Sequence, residues 1–300
     1  MAKCFSYTAT QDSCYRYSFS RAGLKSSTTD LGDGTIMHCW APKTHNQSKP
    51  TLVLIHGFGA NAMWQFNDFI APLKSKFNLY VPDLLFFGDS YTTRPERSES
   101  FQARCVAAVM DAQRVSGTMD VMGLSYGGFV AYSMAAQFPE RVGRVVLGCA
   151  GVCLEEKDME DGMFQEKCRQ LLRLSFYKPP PVTPSCFLAD FIEVMCTEYL
   201  QERKELIETL HKDRKLSTLP RITQPTLIIW GEYDQVFPVA LAHRLKSHIG
   251  DNAELVIIKN VGHALNAERP KQLYKHMKSF LVDTRVPTKA VHQSNGSKRD

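Results

Sequence analysis

Short, nearly continuous apolar runs punctuate this chain: Thr51 to Ile55, Phe77 to Pro82, Asp120 to Met122, Arg144 to Ala150, Pro225 to Trp230 and Ala253 to Ile258. Runs of this length bounded by turn residues read as strands buried on both faces. Between them lie stretches with helical periodicity, at Ala62 to Lys76, Phe101 to Val115, Phe129 to Gln137, Val239 to Lys246 and a terminal run. Strands alternating with helices predict a parallel sheet covered by helices on both faces, an α/β fold. Two further strands, Leu24 to Thr29 and Thr35 to Trp40, are joined by the turn Gly32-Asp33-Gly34, a hairpin signal that brings the predicted sheet to eight strands.

The alternation fails from about Val152 to Pro220. No buried strand is readable there, and Met163 to Phe176 and Phe187 to Leu210 have helical spacing, separated by Lys178-Pro179-Pro180-Pro181. The predicted organisation is an N-terminal extension at 1–22, a core at 23–151 and 221–282, a helical insertion at 152–220 and a disordered tail at 283–300.

Chemistry concentrates where the strands end. Gly123-Leu124-Ser125-Tyr126-Gly127-Gly128 lies between a strand and a helix, and its small residues at two before and two after Ser125 suit a turn too tight for side chains. Ser125 is the candidate nucleophile. A serine hydroxyl needs an imidazole base oriented by a carboxylate. Asp234 follows one strand in Gly231-Glu232-Tyr233-Asp234, and His263 follows another in Asn260-Val261-Gly262-His263-Ala264. Residues at the carboxyl ends of parallel strands converge on one rim. Taken singly, Asp234 also reads as a helix cap and His263 as a loop histidine; the order Ser, Asp, His is what joins them.

With that order, the chain over about residues 20 to 282 resembles the α/β-hydrolase family, in which the nucleophile stands on a strand-turn-helix elbow. The resemblance implies an α/β-hydrolase fold with an inserted helical cap, and a serine hydrolase with Ser125, Asp234 and His263 as catalytic residues. His56-Gly57-Phe58-Gly59 after the first parallel strand looks like the family's oxyanion loop. By that resemblance the backbone N–H groups of Phe58 and Tyr126 form the oxyanion hole, and His56 shapes the loop. The motif Asp83-Leu84-Leu85-Phe86-Phe87-Gly88-Asp89-Ser90 departs from the family, which usually carries glycine at the place of Phe86. The two phenylalanines either line an apolar substrate pocket or pack beneath the cap.

The expected activity is cleavage of a small or medium apolar carboxylic ester through an acyl-enzyme, as in monoacylglycerol-lipase-like esterases. Alternatives are a carbon–carbon bond hydrolase of the same fold, an acyltransferase and, in a different class, a ligand-binding receptor on a hydrolase fold. Epoxide and haloalkane hydrolases carry aspartate at the nucleophile position, and Ser125 argues against them. Substrate choice is expected to lie in the insertion, with Phe164, Leu171, Phe176, Tyr177, Phe187, Phe191 and Met195 as contacts or internal packing.

Composition changes little. Thirty-six Lys and Arg against 31 Asp and Glu give a net charge of +5, with several basic residues in the tail, so no basic face for nucleic acid is implied. The expected partner is a small-molecule ester. No cofactor or metal is implied: the nine cysteines show no metal or thiol-redox spacing, and Cys149 and Cys153 read as packing at a strand end. An apolar run of the roughly 20 residues needed to span a bilayer is absent. Unpaired cysteines suit a reducing, cytoplasmic location, although Arg16, Arg21 and Lys25 among serines and threonines leave organellar targeting open.

Overall fold

The computed structural model describes residues 6–159, 173–178 and 185–284. Helix α1 (Tyr7–Arg21) precedes the antiparallel pair β1 (Leu24–Asp30) and β2 (Thr35–Pro42). Then come β3 (Thr51–Ile55), α2 (Ala62–Leu73), β4 (Asn78–Pro82), the two-residue β5 (Tyr91–Thr92), α3 (Glu99–Ala112), β6 (Met119–Leu124), α4 (Tyr126–Gln137) and β7 (Val142–Gly148). After the insertion follow β8 (Thr226–Gly231), α7 (Val239–Ile249), β9 (Ala253–Ile258), α8 (Leu265–Glu268) and α9 (Pro270–Lys278), with α5 (Ser185–Cys196) and α6 (Leu200–His211) inside the insertion.

Eight strands run in the order β1-β2-β4-β3-β6-β7-β8-β9, and β5 adds a short ninth beside β2. Pairs from β4 through β3, β6, β7 and β8 to β9 are parallel. Every residue of β3, β4, β6 and β8 is buried, which is why they read as continuous apolar runs. β1 is mostly exposed and polar, the composition of an edge strand. The chain passes from β3 to β4 on one side and returns to β6 on the other. Ile55 of β3 faces Gly123 of β6, so the crevice between their carboxyl ends lies at this reversal.

Two elements depart from the sequence pattern. The predicted N-terminal extension contains helix α1, N-capped by the Ser6 hydroxyl, which accepts from the Ala9 N–H at 3.1 Å. Its sequence lacks an apolar stripe because it buries only Thr8 and Phe19. The predicted single run Phe187 to Leu210 is two helices, broken where Tyr199 takes a left-handed φ of 54°. Of the predicted Met163 to Phe176 helix, all but the last residues lie outside the described residues, as do Phe164, Leu171 and residues 285–300.

Arginines tie α6 and its C-terminal turn to the core. Arg203, 8% exposed, donates through Nε to the Phe86 carbonyl and through Nη1 to the Met195 carbonyl, both at 2.7 Å, with its guanidinium 4.6 Å from the centre of the Phe87 ring. Arg97 pairs with Glu205 and Arg214 with Glu99, each at 2.7 Å.

Candidate active site

At the end of β6 the chain turns so sharply that Ser125 holds φ 53° and ψ −123°, and α4 starts on the next residue. A left-handed φ at a serine is strained and persists only where surroundings enforce it. Here they do: the Ser125 N–H donates to the Gly148 carbonyl at 2.8 Å, and its carbonyl accepts from Gly128 at 2.9 Å. A Cβ on Gly123 would strike the Gly127 carbonyl, and one on Gly127 would strike the carbonyls of Ile55 and His56. Both positions therefore require glycine, as their spacing implied.

Asp234 and His263 reach Ser125 from the loops after β8 and β9. A Cβ on Gly231 would collide with the Gly262 carbonyl, so glycine lets these loops approach. The Asp234 side chain is fully enclosed; Oδ1 accepts from the Val236 and Phe237 N–H groups and Oδ2 faces His263 Nδ1, all at 2.8 Å. A carboxylate only accepts, so Nδ1 carries the imidazole proton and the Nε2 lone pair faces Ser125 Oγ, also at 2.8 Å. The structure thus brings together the three side chains that the sequence placed at separate strand ends.

The loop after β3 closes the site's other side. Leu84 N–H donates to His56 Nε2 at 2.9 Å, so the ring proton sits on Nδ1 and is given to the Gly57 carbonyl at 2.7 Å. Burial pushes the His56 pKa down, in keeping with a neutral ring. The Gly57 N–H donates to Gln65 Oε1. Phe58 and Tyr126 lie side by side, ring centres 6.3 Å apart, and both line the same cavity as Ser125 and His263.

That cavity holds about 390 Å³ and is walled largely by apolar side chains, among them Trp64, Leu174, Phe176, Phe191, Ile207, Leu210, Val236 and Phe237. Of the cap residues singled out in the sequence, Phe176 and Phe191 line it. Tyr177 instead stacks on Tyr233 at 4.4 Å, Phe187 packs on Tyr7 at 5.1 Å, and the Met195 carbonyl serves Arg203. Phe86 and Phe87 pack beneath the cap and are absent from the cavity wall. Phe86, at the place where the family resemblance led to an expectation of glycine, takes a left-handed φ of 72°, and its carbonyl accepts from Arg203. Trp64, Gln65 and Asn266 also line the cavity, and no motif in the sequence marked them.

Cys149 is closer to the chemistry than strand-end packing suggested. Its Sγ, an Asp234 oxygen and a His263 nitrogen lie within 4.8 Å of one another, the one such group of possible metal ligands among the described residues. Both imidazole nitrogens are engaged in hydrogen bonds, and burial pushes the Cys149 thiol well above its ordinary range, so a cation would displace a proton and existing bonds to bind.

The model of the alpha/beta hydrolase family matches residues 52–276, from β3 to the last helix. The chain belongs to this alpha/beta hydrolase family. Lipase 3 of Moraxella sp. (strain TA144) is 28% identical over 284 residues, covering 89% of this chain and 87% of its own. Monoacylglycerol lipase ABHD6 of Bos taurus is 26% identical over 288 residues, covering 87% and 82%. Among solved structures, a putative lipase (lip1) from Acinetobacter baumannii AYE superposes with a TM-score of 0.76 at 23% identity, over 91% of this chain and 95% of that one. No helix among the described residues is long and apolar enough to cross a membrane.

Proposed function

We propose that this protein is a serine hydrolase that cleaves a small or medium, largely apolar carboxylic ester. The observation that carries the reading is the unbroken hydrogen-bond chain from Ser125 Oγ through His263 to Asp234, opening on an apolar cavity. Relatives named as lipases support ester cleavage.

Ser125 attacks the carbonyl carbon while His263 Nε2 takes its proton, and Asp234 stabilises the imidazolium that forms. The N–H groups of Phe58 and Tyr126 hold the developing oxyanion, a contribution on the order of 10²–10³ in rate per donor. His263 returns the proton to the departing alcohol, and water then repeats the sequence on the acyl-enzyme. Ser125→Ala is expected to lower kcat on a p-nitrophenyl ester by about 10⁴-fold or more. Labelling by a fluorophosphonate that persists in Ser125→Ala, or fails in wild-type protein, overturns the reading.

A further inference from the structure

Gln65 and Asn266 are polar residues in a cavity wall that is otherwise mainly apolar. Their orientations follow from their partners. The Gly57 N–H can only donate, so the Gln65 atom it meets is Oε1. The Gln65 backbone carbonyl can only accept, so the Asn266 atom facing it at 3.4 Å is Nδ2. This leaves Gln65 Nε2 as a donor and Asn266 Oδ1 as an acceptor. Among the described residues neither atom has a hydrogen-bond partner, and each residue is half-buried on the cavity.

The position matters as much as the chemistry. A Cβ built on Gly57 would stand 3.0 Å from the Ser125 Cβ and 3.6 Å from Gln65 Nε2, so the free amide donor and the candidate nucleophile flank the same glycine. Asn266 follows His263 by three residues, and its amide ties that loop to α2 through Gln65. A pocket needs few polar groups to orient a ligand, and unfilled amide groups beside the reacting centre favour a substrate that fills them.

We propose that Gln65 and Asn266 form a polar subsite for a hydroxyl group carried by the substrate close to its ester. A hydroxyl is a small group that can both accept, from Gln65 Nε2, and donate, to Asn266 Oδ1. The two residues thereby select hydroxy esters over plain alkyl esters. The inference rests on the serine-hydrolase reading and narrows its substrate class.

The test uses isosteric pairs that exchange a hydroxyl for a methyl: 2-hydroxyethyl butyrate against propyl butyrate, and ethyl 3-hydroxybutyrate against ethyl 3-methylbutyrate. These place the hydroxyl on the alcohol and acyl sides in turn. Wild-type protein is expected to favour the hydroxyl member of at least one pair by about 10-fold or more in kcat/KM. Gln65→Glu keeps an oxygen for the Gly57 N–H and removes the donor; Asn266→Leu removes the acceptor independently. Each is expected to bring that ratio close to one, whatever it does to both rates together. Wild-type protein that cleaves the alkyl esters with no preference in either pair overturns this inference and leaves ester hydrolysis standing. So does a preference that survives in both variants. Failure to cleave any of the four esters removes both.

Discussion

At the residue scale, hydrogen-bond geometry alone does not make a nucleophile. Ser26, His38 and Asp83 repeat the arrangement of Ser125, His263 and Asp234, with His38 Nε2 2.8 Å from Ser26 Oγ and Nδ1 2.8 Å from Asp83 Oδ2. Yet Ser26 sits exposed in the regular edge strand β1, away from the apolar cavity. Ser125 differs by its strained turn, the helix that begins after it and the pocket above it. A fluorophosphonate is therefore expected to label Ser125 and leave Ser26 unmodified, which peptide mapping by mass spectrometry checks. His56 gives a second expectation. Its folded pKa lies below the ordinary 6.5, so the unfolded chain binds more protons. Its contribution to stability is present above pH 6.5 and is lost as pH falls through the lower folded value. Urea midpoints of wild-type protein should fall over that window, and less steeply in His56→Asn. Ser125 was readable in the sequence because tight turns write themselves as glycines at fixed offsets. Gln65 was not, because an amide that meets a loop N–H from a helix leaves no periodic trace.

At the scale of elements, the central strands and their helices announced themselves, whereas α1 did not. Strands buried on both faces must be apolar throughout. A surface helix that buries one aromatic ring need not be amphipathic, and α1 is held by polar contacts as well as by ring contacts of Tyr7, Tyr15 and Phe19. Asp12 Oδ1 accepts from Trp64 Nε1 at 3.2 Å and from Asn61 Nδ2 at 3.4 Å, and the Thr8 N–H donates to Asp190 of α5 at 2.8 Å. Trp64 and Phe191, edge to face at 5.4 Å, both line the cavity, so α1 braces the contact between α2 and the cap. Asp12→Ala is expected to cost about 1–2 kcal/mol in urea unfolding by stranding those donors. It should also raise KM for an apolar ester more than it lowers kcat, since Trp64 is part of the wall.

For the whole molecule, residues 152–220 read in the sequence as a place where strands stop, but how α5 and α6 attach to the sheet was not readable, because long-range bonds to carbonyls carry no signature in sequence. Arg203 is the main fastening: it satisfies carbonyls of both α5 and the Phe86 loop while covering the Phe87 ring. Arg203→Met keeps much of the apolar contact and abandons both carbonyls. A loss of about 2 kcal/mol or more is expected, together with faster amide hydrogen exchange in α5 and α6 than in β6 or β8.

The sheet order also has a consequence for biosynthesis. The Ser125 turn and the loop that abuts it follow β6 and β3, while Asp234 and His263 follow β8 and β9, beyond α5 and α6 in the chain. In the proposed mechanism, a nascent polypeptide still lacking β9 and the loop after it already owns its hydroxyl but has no imidazole to awaken it. On that mechanism such a chain is expected to stay chemically silent on the ribosome until its last strand docks.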